Sequence, residues 1–195
     1  MPALAAAMAP DHGLADSRSA QLVERFIAGD RGAFAELVAE HQGAALATAV
    51  RITGDADAAH DVVQEAFVRV VRHAARYERD RSFRAWLLAI VRNLAIDALR
   101  RRRVHASLDG RDRAAESSVS AGLEAQEVRA RVALVLDDLP AKYRDLLVMR
   151  ELEGRSAEGI ASETGIDYGT TRWRLHTARN LFRDAWIRRF GAEET

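Results

Sequence analysis

The 195-residue chain contains no cysteine, which excludes disulfides, thiolate metal sites and cysteine nucleophiles. Lys142 is its one lysine among 29 basic residues, and no G-x-x-x-x-G-K-[ST] phosphate loop is present. Twelve glycines and three prolines leave little turn material for an all-β fold. No apolar run approaches the roughly 20 residues that span a bilayer. The longest compact one, Ala85 to Val91, is bounded by Arg84 and Arg92. The N-terminal Ala/Met stretch lacks basic residues and meets Pro10 and Asp11 early, so it reads as a frayed tail rather than a signal peptide. His12, His41, His60, His73, His105 and His176 form no H-x-x-x-H or H-E-x-x-H pair, and no G-x-S-x-G elbow occurs. These absences point to a cytoplasmic protein with no metal site and no membrane insertion, and leave a Ser-His-Asp triad open.

What is present is charge, unevenly placed. The 29 basic and 29 acidic residues cancel, but the segments do not. Residues 21–104 hold fourteen Arg against eleven acids, a net of +3. Residues 129–190 hold eleven Arg and Lys142 against nine acids, again +3. Between them, residues 105–128 hold two Arg against five acids, a net of −3, with Ser107, Gly110, Ser117, Ser118, Ser120 and Gly122. That is the composition of a polar linker between two basic modules. The expected organisation is a tail over 1–18, a first module over 19–104, a linker over 105–122, a second module over 123–190 and a short tail over 191–195.

Both modules read as helical, and the fold class is all-α. Leu22, Val23, Phe26 and Ile27 share a face that ends at Gly29; Phe34, Leu37, Val38, Leu46 and Val50 continue helically to Gly54. Val62, Val63, Ala66, Phe67, Val70 and Val71 keep a 3.6-residue period after Asp55. Ser82 caps a helix bearing Phe83, Trp86, Leu87, Ile90, Val91, Leu94, Ile96 and Leu99. The arginines Arg100 to Arg103 are expected to end it, at the negative end of its dipole. So apolar a bundle is expected to bury a core by itself. In the second module the pattern predicts helices over Leu123–Leu139, Ala141–Leu152, Ser156–Thr164 and Asp167 to about Phe190.

Three constellations carry chemistry. Residues 152–179 are arranged as a helix-turn-helix, in which Gly165 makes the turn and Ile166 points inward. The second helix presents Thr170, Thr171, Arg172, Trp173, Arg174, His176 and Arg179 near its start, where a helix lying in the major groove meets bases and phosphates. An ordinary hairpin with a solvated basic face is the competing reading. The second constellation runs from Arg76 through Arg79 and Arg81 to Trp86, with Asn93, Asp97 and Arg100 beyond. Cations beside aromatics suit a single strand, whose phosphates need charge and whose bases need stacking faces; otherwise Trp86 is core and Asn93 a solvated polar group. In the third, Asp57, Asp61, Gln64 and Glu65 form a polar stripe, either a docking face or the wet side of an amphipathic helix.

The ordered motifs Asp61-Val-Val-Gln-Glu-Ala-Phe67 and Phe83-Arg-Ala-Trp-Leu-Leu-Ala-Ile-Val-Arg-Asn-Leu-Ala-Ile-Asp-Ala-Leu-Arg100 resemble region two of extracytoplasmic-function sigma factors. Leu139-Pro140, Gly154-Arg-Ser156 and Gly169-Thr-Thr-Arg-Trp-Arg-Leu-His-Thr-Ala-Arg179 resemble their region four. The resemblance covers about residues 20–185, with a linker in place of region three. It implies a transcription initiation factor that works with core RNA polymerase and promoter DNA and is not an enzyme, with no cofactor and no small-molecule substrate. Asp57, Asp61, Gln64 and Glu65 would then bind the polymerase clamp helices. Arg76, Arg79, Arg81, Trp86, Asn93, Asp97 and Arg100 would hold the opened −10 strand, and the helix from Tyr168 to Arg179 would read the −35 element. An anti-sigma factor is implied as a further partner. Three positions depart from the pattern: Gly159 stands where Glu is frequent, Trp173 where a small residue is usual, and Thr177 where a base is common. Two competing functions are a sigma-like decoy that sequesters an anti-sigma factor and a stand-alone helix-turn-helix regulator, which leaves Trp86, Asn93 and Asp97 unexplained.

Overall fold

The structure, a computed structural model, describes residues 12–78, 82–108 and 117–191, and every regular element among them is helical. The first module holds α1 (His12–Ile27), α2 (Arg31–Thr53), α3 (Ala56–His73), a 3-10 turn (Ala74–Arg76) and α4 (Phe83–Leu108). The second holds α5 (Ser117–Asp137), α6 (Ala141–Leu147), a π turn (Val148–Leu152), α7 (Ala157–Thr164) and α8 (Tyr168–Phe190).

The helices start where a short polar side chain can take up backbone N–H groups left free by the first turn. Asp30 accepts from Gly32 and Ala33, Asp55 from Ala58, and Asp167 from Thr170. Ser82 caps α4 as its position predicts, accepting from Ala85 N–H at 3.3 Å. Gly54 and Gly165 end α2 and α7 in the left-handed region, at φ 66° and 67°. A side chain at either would be strained.

In the first module α1, α2, α3 and α4 pack as a four-helix bundle. Ala33, Ala45 and Ala49 on α2 and Ala59 and Ala66 on α3 are fully buried, and their small side chains let the helices approach closely. Leu37, Ile52, Val70, Phe83, Leu87 and Val91 fill the space between. Each large side chain so buried contributes about 1.5–3 kcal/mol of transfer free energy.

Four sequence expectations need amendment. First, α4 does not end at Arg100 to Arg103 but runs to Leu108, because no breaker intervenes before Asp109-Gly110. Second, helix occupies both ends of the 105–122 stretch; only 109–116 lie outside the described residues. Third, the helix predicted over Ala141–Leu152 is interrupted: α6 closes at Leu147 and the chain widens into a π turn, with Glu153 N–H bonding Val148 C=O at 3.1 Å. Fourth, the first module's core is not separate. Its buried side chains run on without a break into Ala133, Val135, Leu136, Leu139, Leu147 and Val148. A smaller cluster of Leu146, Met149, Ile160 and Leu175, with Ile166 packed on it, holds α7 against α8.

Candidate nucleic-acid and polymerase interfaces

The helix-turn-helix reading is carried by α7, Gly165 and α8. The Ser156 hydroxyl accepts from Gly159 N–H at 3.0 Å, so the cap forms although Gly159 cannot return the second bond of a capping box. Asp167 Oδ2 accepts from Thr170 N–H at 2.9 Å, capping the start of α8. The first turns of α8 then face outward. Trp173 is 59% exposed and Tyr168 42%. The Arg172 guanidinium stands 5.8 Å from the Tyr168 ring centre. Tyr168, Gly169, Arg172, Trp173 and His176 line a shallow concavity of about 420 Å³. The Glu158 carboxyl lies below the usual range because its own backbone N–H, then the Tyr168 hydroxyl and Ser156, favour its charged form.

Thr171 is the exception among the predicted reading residues. It is fully buried, and its hydroxyl points to Ile166 C=O at 3.4 Å, so it braces the turn instead of facing a groove. A period of 3.6 residues turns this position to the inner face of α8 with Leu175 and Ala178, which are also buried. Thr170 and Arg174 are half-buried, and exposed Arg179 is held by Glu151 at 2.8 Å.

On the first module, Trp86, Asn93, Asp97 and Arg100 fall within one narrow stripe of α4 and are all half-buried. Trp86 packs against Tyr77 and Phe83 at ring separations of 5.5 and 5.9 Å. It therefore sits at the rim of the core, half-buried. Asn93 Nδ2 donates to Ala89 C=O at 3.0 Å, which leaves its carbonyl oxygen for another partner. Asp97 pairs with Arg100 at 3.6 Å. Arg76 is exposed on the 3-10 turn, whereas Arg79 and Arg81 lie outside the described residues.

The third constellation is on α3, where Asp57, Asp61 and Gln64 are exposed and Glu65 is half-buried and paired with Arg69 at 3.2 Å. Beside them runs an apolar groove of about 550 Å³ between α2 and α3, lined by Phe34, Val38, Val63, Phe67, Val68 and Val71 with Gln64 at its edge. Val68 and Val71 are 41% and 45% exposed.

Sequence reasoning missed a buried charge cluster between the modules. Arg92 Nε lies 2.5 Å from Glu153 Oε1, and its Nη2 lies 2.9 Å from Glu163 Oε1. Arg155 closes the group, 2.6 Å from Glu163. Burial works against the Arg92 charge, but the hydrogen bonds and charges of Glu153 and Glu163 more than reverse it and hold its pKa above the ordinary arginine value. The signal was legible: Arg92 follows Leu88 by four residues, on the apolar side of α4. Among the described residues no helix is long and apolar enough to cross a membrane, and no group of three or more His, Cys, Asp or Glu could hold a metal ion.

Two helical modules, the second carrying a helix-turn-helix, define a protein class built around exposed helix faces. The chain matches Sigma-70 region 2 over residues 37–104 and Sigma-70 region 4 over residues 129–181. It is 35% identical over 179 residues to the RNA polymerase sigma-H factor of Pseudomonas aeruginosa, covering 85% of this chain and 92% of that protein. It is 34% identical over 154 residues to the ECF RNA polymerase sigma factor SigE of Mycolicibacterium smegmatis, covering 76% of this chain. There it spans 60% of the relative's own length. Among solved structures it is similar to CnrH in complex with the cytosolic domain of CnrY, at 29% identity and a TM-score of 0.46, covering 88% of this chain and 99% of that one. The chain belongs to the extracytoplasmic-function sigma factor family.

Proposed function

We propose that this protein directs core RNA polymerase to particular promoters and helps to open them. The observation that carries this reading is the presence, on one chain, of an outward-facing helix-turn-helix and an apolar groove edged by Gln42 of α2 and by His60 and Gln64 of α3, the helix that also exposes Asp57 and Asp61. A stand-alone regulator needs only the first.

In this reading residues 19–104 form the module for polymerase and the −10 element, 105–122 the connection and 123–190 the −35 module. The polymerase docks on the α3 face through Asp57, Asp61, Gln64 and Glu65, with a partner side chain in the groove beside Val68. Arg172, Trp173, Thr170, Arg174, His176 and Arg179 meet the −35 duplex. Trp86, Asn93, Asp97, Arg100 and Arg76, together with Arg79 and Arg81, hold the opened strand. No covalent chemistry is involved. Unstacking costs a few kcal/mol per base, and stacked contacts worth about 1–3 kcal/mol per base offset it. The protein acts in the cytoplasm, and an anti-sigma factor holds it inactive, as its family membership implies. Run-off transcription with purified core polymerase tests the reading: transcripts that start only when this protein is added support it, and core binding without promoter opening supports the decoy instead.

A further inference from the structure

The chain has three tryptophans, and two of them are packed against other rings. Trp86 lies against Tyr77 and Phe83, and Trp186 against Phe182 and Phe190. Trp173 has no such neighbour among the described residues, and at 59% it is the most exposed of their large apolar side chains. An indole left this open to water forgoes the burial that makes tryptophan useful in a core. The packing of α8 does not require it, because the inner face of that helix is made by Thr171, Leu175 and Ala178.

The place of the indole follows from helix geometry. Gly169, Arg172, Trp173 and His176 recur at intervals of three and four, so they form one outward stripe, and all are exposed. A long helical side chain leans toward the N-terminus and covers the turn before its own Cα, which for Trp173 is the turn that holds Gly169. Glycine leaves that turn bare. A Cβ there would stand 3.1 Å from Asp167 Oδ2, the atom that caps α8, so the cap itself favours the gap. The result is the open concavity lined by Tyr168, Gly169, Arg172, Trp173 and His176, which contains two aromatic rings, a guanidinium and an imidazole but no carboxylate.

The major groove offers few partners for such a cup. Its base edges are hydrogen-bond donors and acceptors with one apolar exception, the C5-methyl group of thymine. Arg172, its guanidinium 5.8 Å from the Tyr168 ring, supplies the cation that guanine O6 and N7 or a phosphate would bind. Cup and cation together suit an apolar group and an acceptor side by side.

We propose that Trp173 is a specificity-determining residue, whose indole, lying over Gly169 in the concavity shared with Tyr168, takes the C5-methyl group of a thymine in the −35 element. The inference rests on the reading of α8 as the helix that enters the major groove. Thr171, the one predicted reading residue that is fully buried, contributes nothing to this contact.

Uracil differs from thymine only by lacking that methyl group, so duplexes made with one or the other test the contact. Holoenzyme reconstituted from the full chain and core polymerase selects from duplexes randomised across both promoter elements. The selected duplexes are then remade with uracil at single upstream thymines. One upstream thymine should be retained by selection, and uracil there should weaken binding about fourfold, the worth of one buried methyl group. Trp173→Ala should bind the thymine and uracil duplexes equally, and Trp173→Phe should keep part of the difference. The side chain is exposed, so both variants should fold, which their helical circular dichroism checks. Equal binding of the two duplexes by the unaltered protein overturns the proposal, as does a thymine preference that Trp173→Ala leaves intact. Weaker binding of Trp173→Ala to core polymerase without DNA, and no thymine preference, makes the indole a protein contact and also overturns it. Arg172→Ala judges the initiation reading separately: loss of upstream selection in that variant upholds the reading whatever Trp173 does. An unaltered holoenzyme that selects no upstream sequence overturns both.

Discussion

Arg92 and Glu153 stand 61 residues apart in the chain, yet their side chains meet at 2.5 Å with almost no exposure to solvent. Removing two charges from water is costly, and the cost is offset only when geometry and further hydrogen bonds are good. Here Glu163, Arg155 and the Arg51 contact to the Glu153 backbone C=O supply the additional partners. The join between the modules is therefore specific in register, because a shift of one turn would leave these charges buried and unpaired.

Arg92→Met leaves two buried carboxylates with only the part-exposed Arg155 as a shared cation. Breaking a buried pair in this way costs about 3–5 kcal/mol. Adding Glu153→Leu and Glu163→Leu should recover most of that loss, since well-packed apolar groups can replace a buried ionic set at little cost. Urea denaturation of the single and triple variants measures it, and simple additivity of the losses would count against the shared cluster.

Asp145 supplies a pH dependence. Burial raises its carboxyl above the ordinary value of 3.8, with Arg92 and Arg144 offsetting only part of the effect, and its Oδ1 has no hydrogen-bond partner. Because the folded state binds this proton more tightly than the unfolded chain, Asp145 destabilises the fold at neutral pH. That penalty is relieved as pH falls through the raised value toward 3.8. Asp145→Asn should therefore be more stable than wild type at neutral pH, with the difference shrinking on acidification. A difference independent of pH would refute the assignment.

Val68→Glu places a charge in the α2–α3 groove at a position 41% exposed. Core polymerase binding should weaken by tenfold or more, about 1.4 kcal/mol, with stability within about 0.5 kcal/mol of wild type. Equal loss of binding and stability would mean that the groove is merely structural.

On α8, Arg172→Ala should weaken the upstream footprint and reduce the salt slope by about one. Thr171→Val should leave the footprint intact, because the hydroxyl is buried against Ile166. Footprinting over a salt series separates the two positions.

Alanine at Asn93 and Asp97 should impair permanganate-detected melting more than polymerase binding. Both side chains are half-buried on the α4 stripe, and Asn93 keeps a free carbonyl oxygen after bonding Ala89. Parallel loss of both activities would return Asn93 to an ordinary helix-interior role.

Much of this protein was legible from its sequence, because local rules decide local structure. Asp30, Asp55, Ser82, Ser156 and Asp167 each accept from the backbone of the turn that follows, and Gly54 and Gly165 end helices where their position indicates. The apolar period assigned the inner faces of α3 and α4 in most positions, though Val71 is exposed, whereas on α2 Val50 is exposed and the buried face is built largely from Ala33, His41, Ala45, Thr48 and Ala49; the order of motifs indicated the family. Tertiary structure alone decided the rest. The π turn at Val148–Leu152 interrupts a continuous apolar pattern and buries Val148 and Met149. Charge counts treated Arg92, Glu153 and Glu163 as members of separate basic and acidic sets. Their meeting depends on how two helical modules are docked across a segment whose composition permits many arrangements, and that choice is made by long-range burial, which no local pattern encodes.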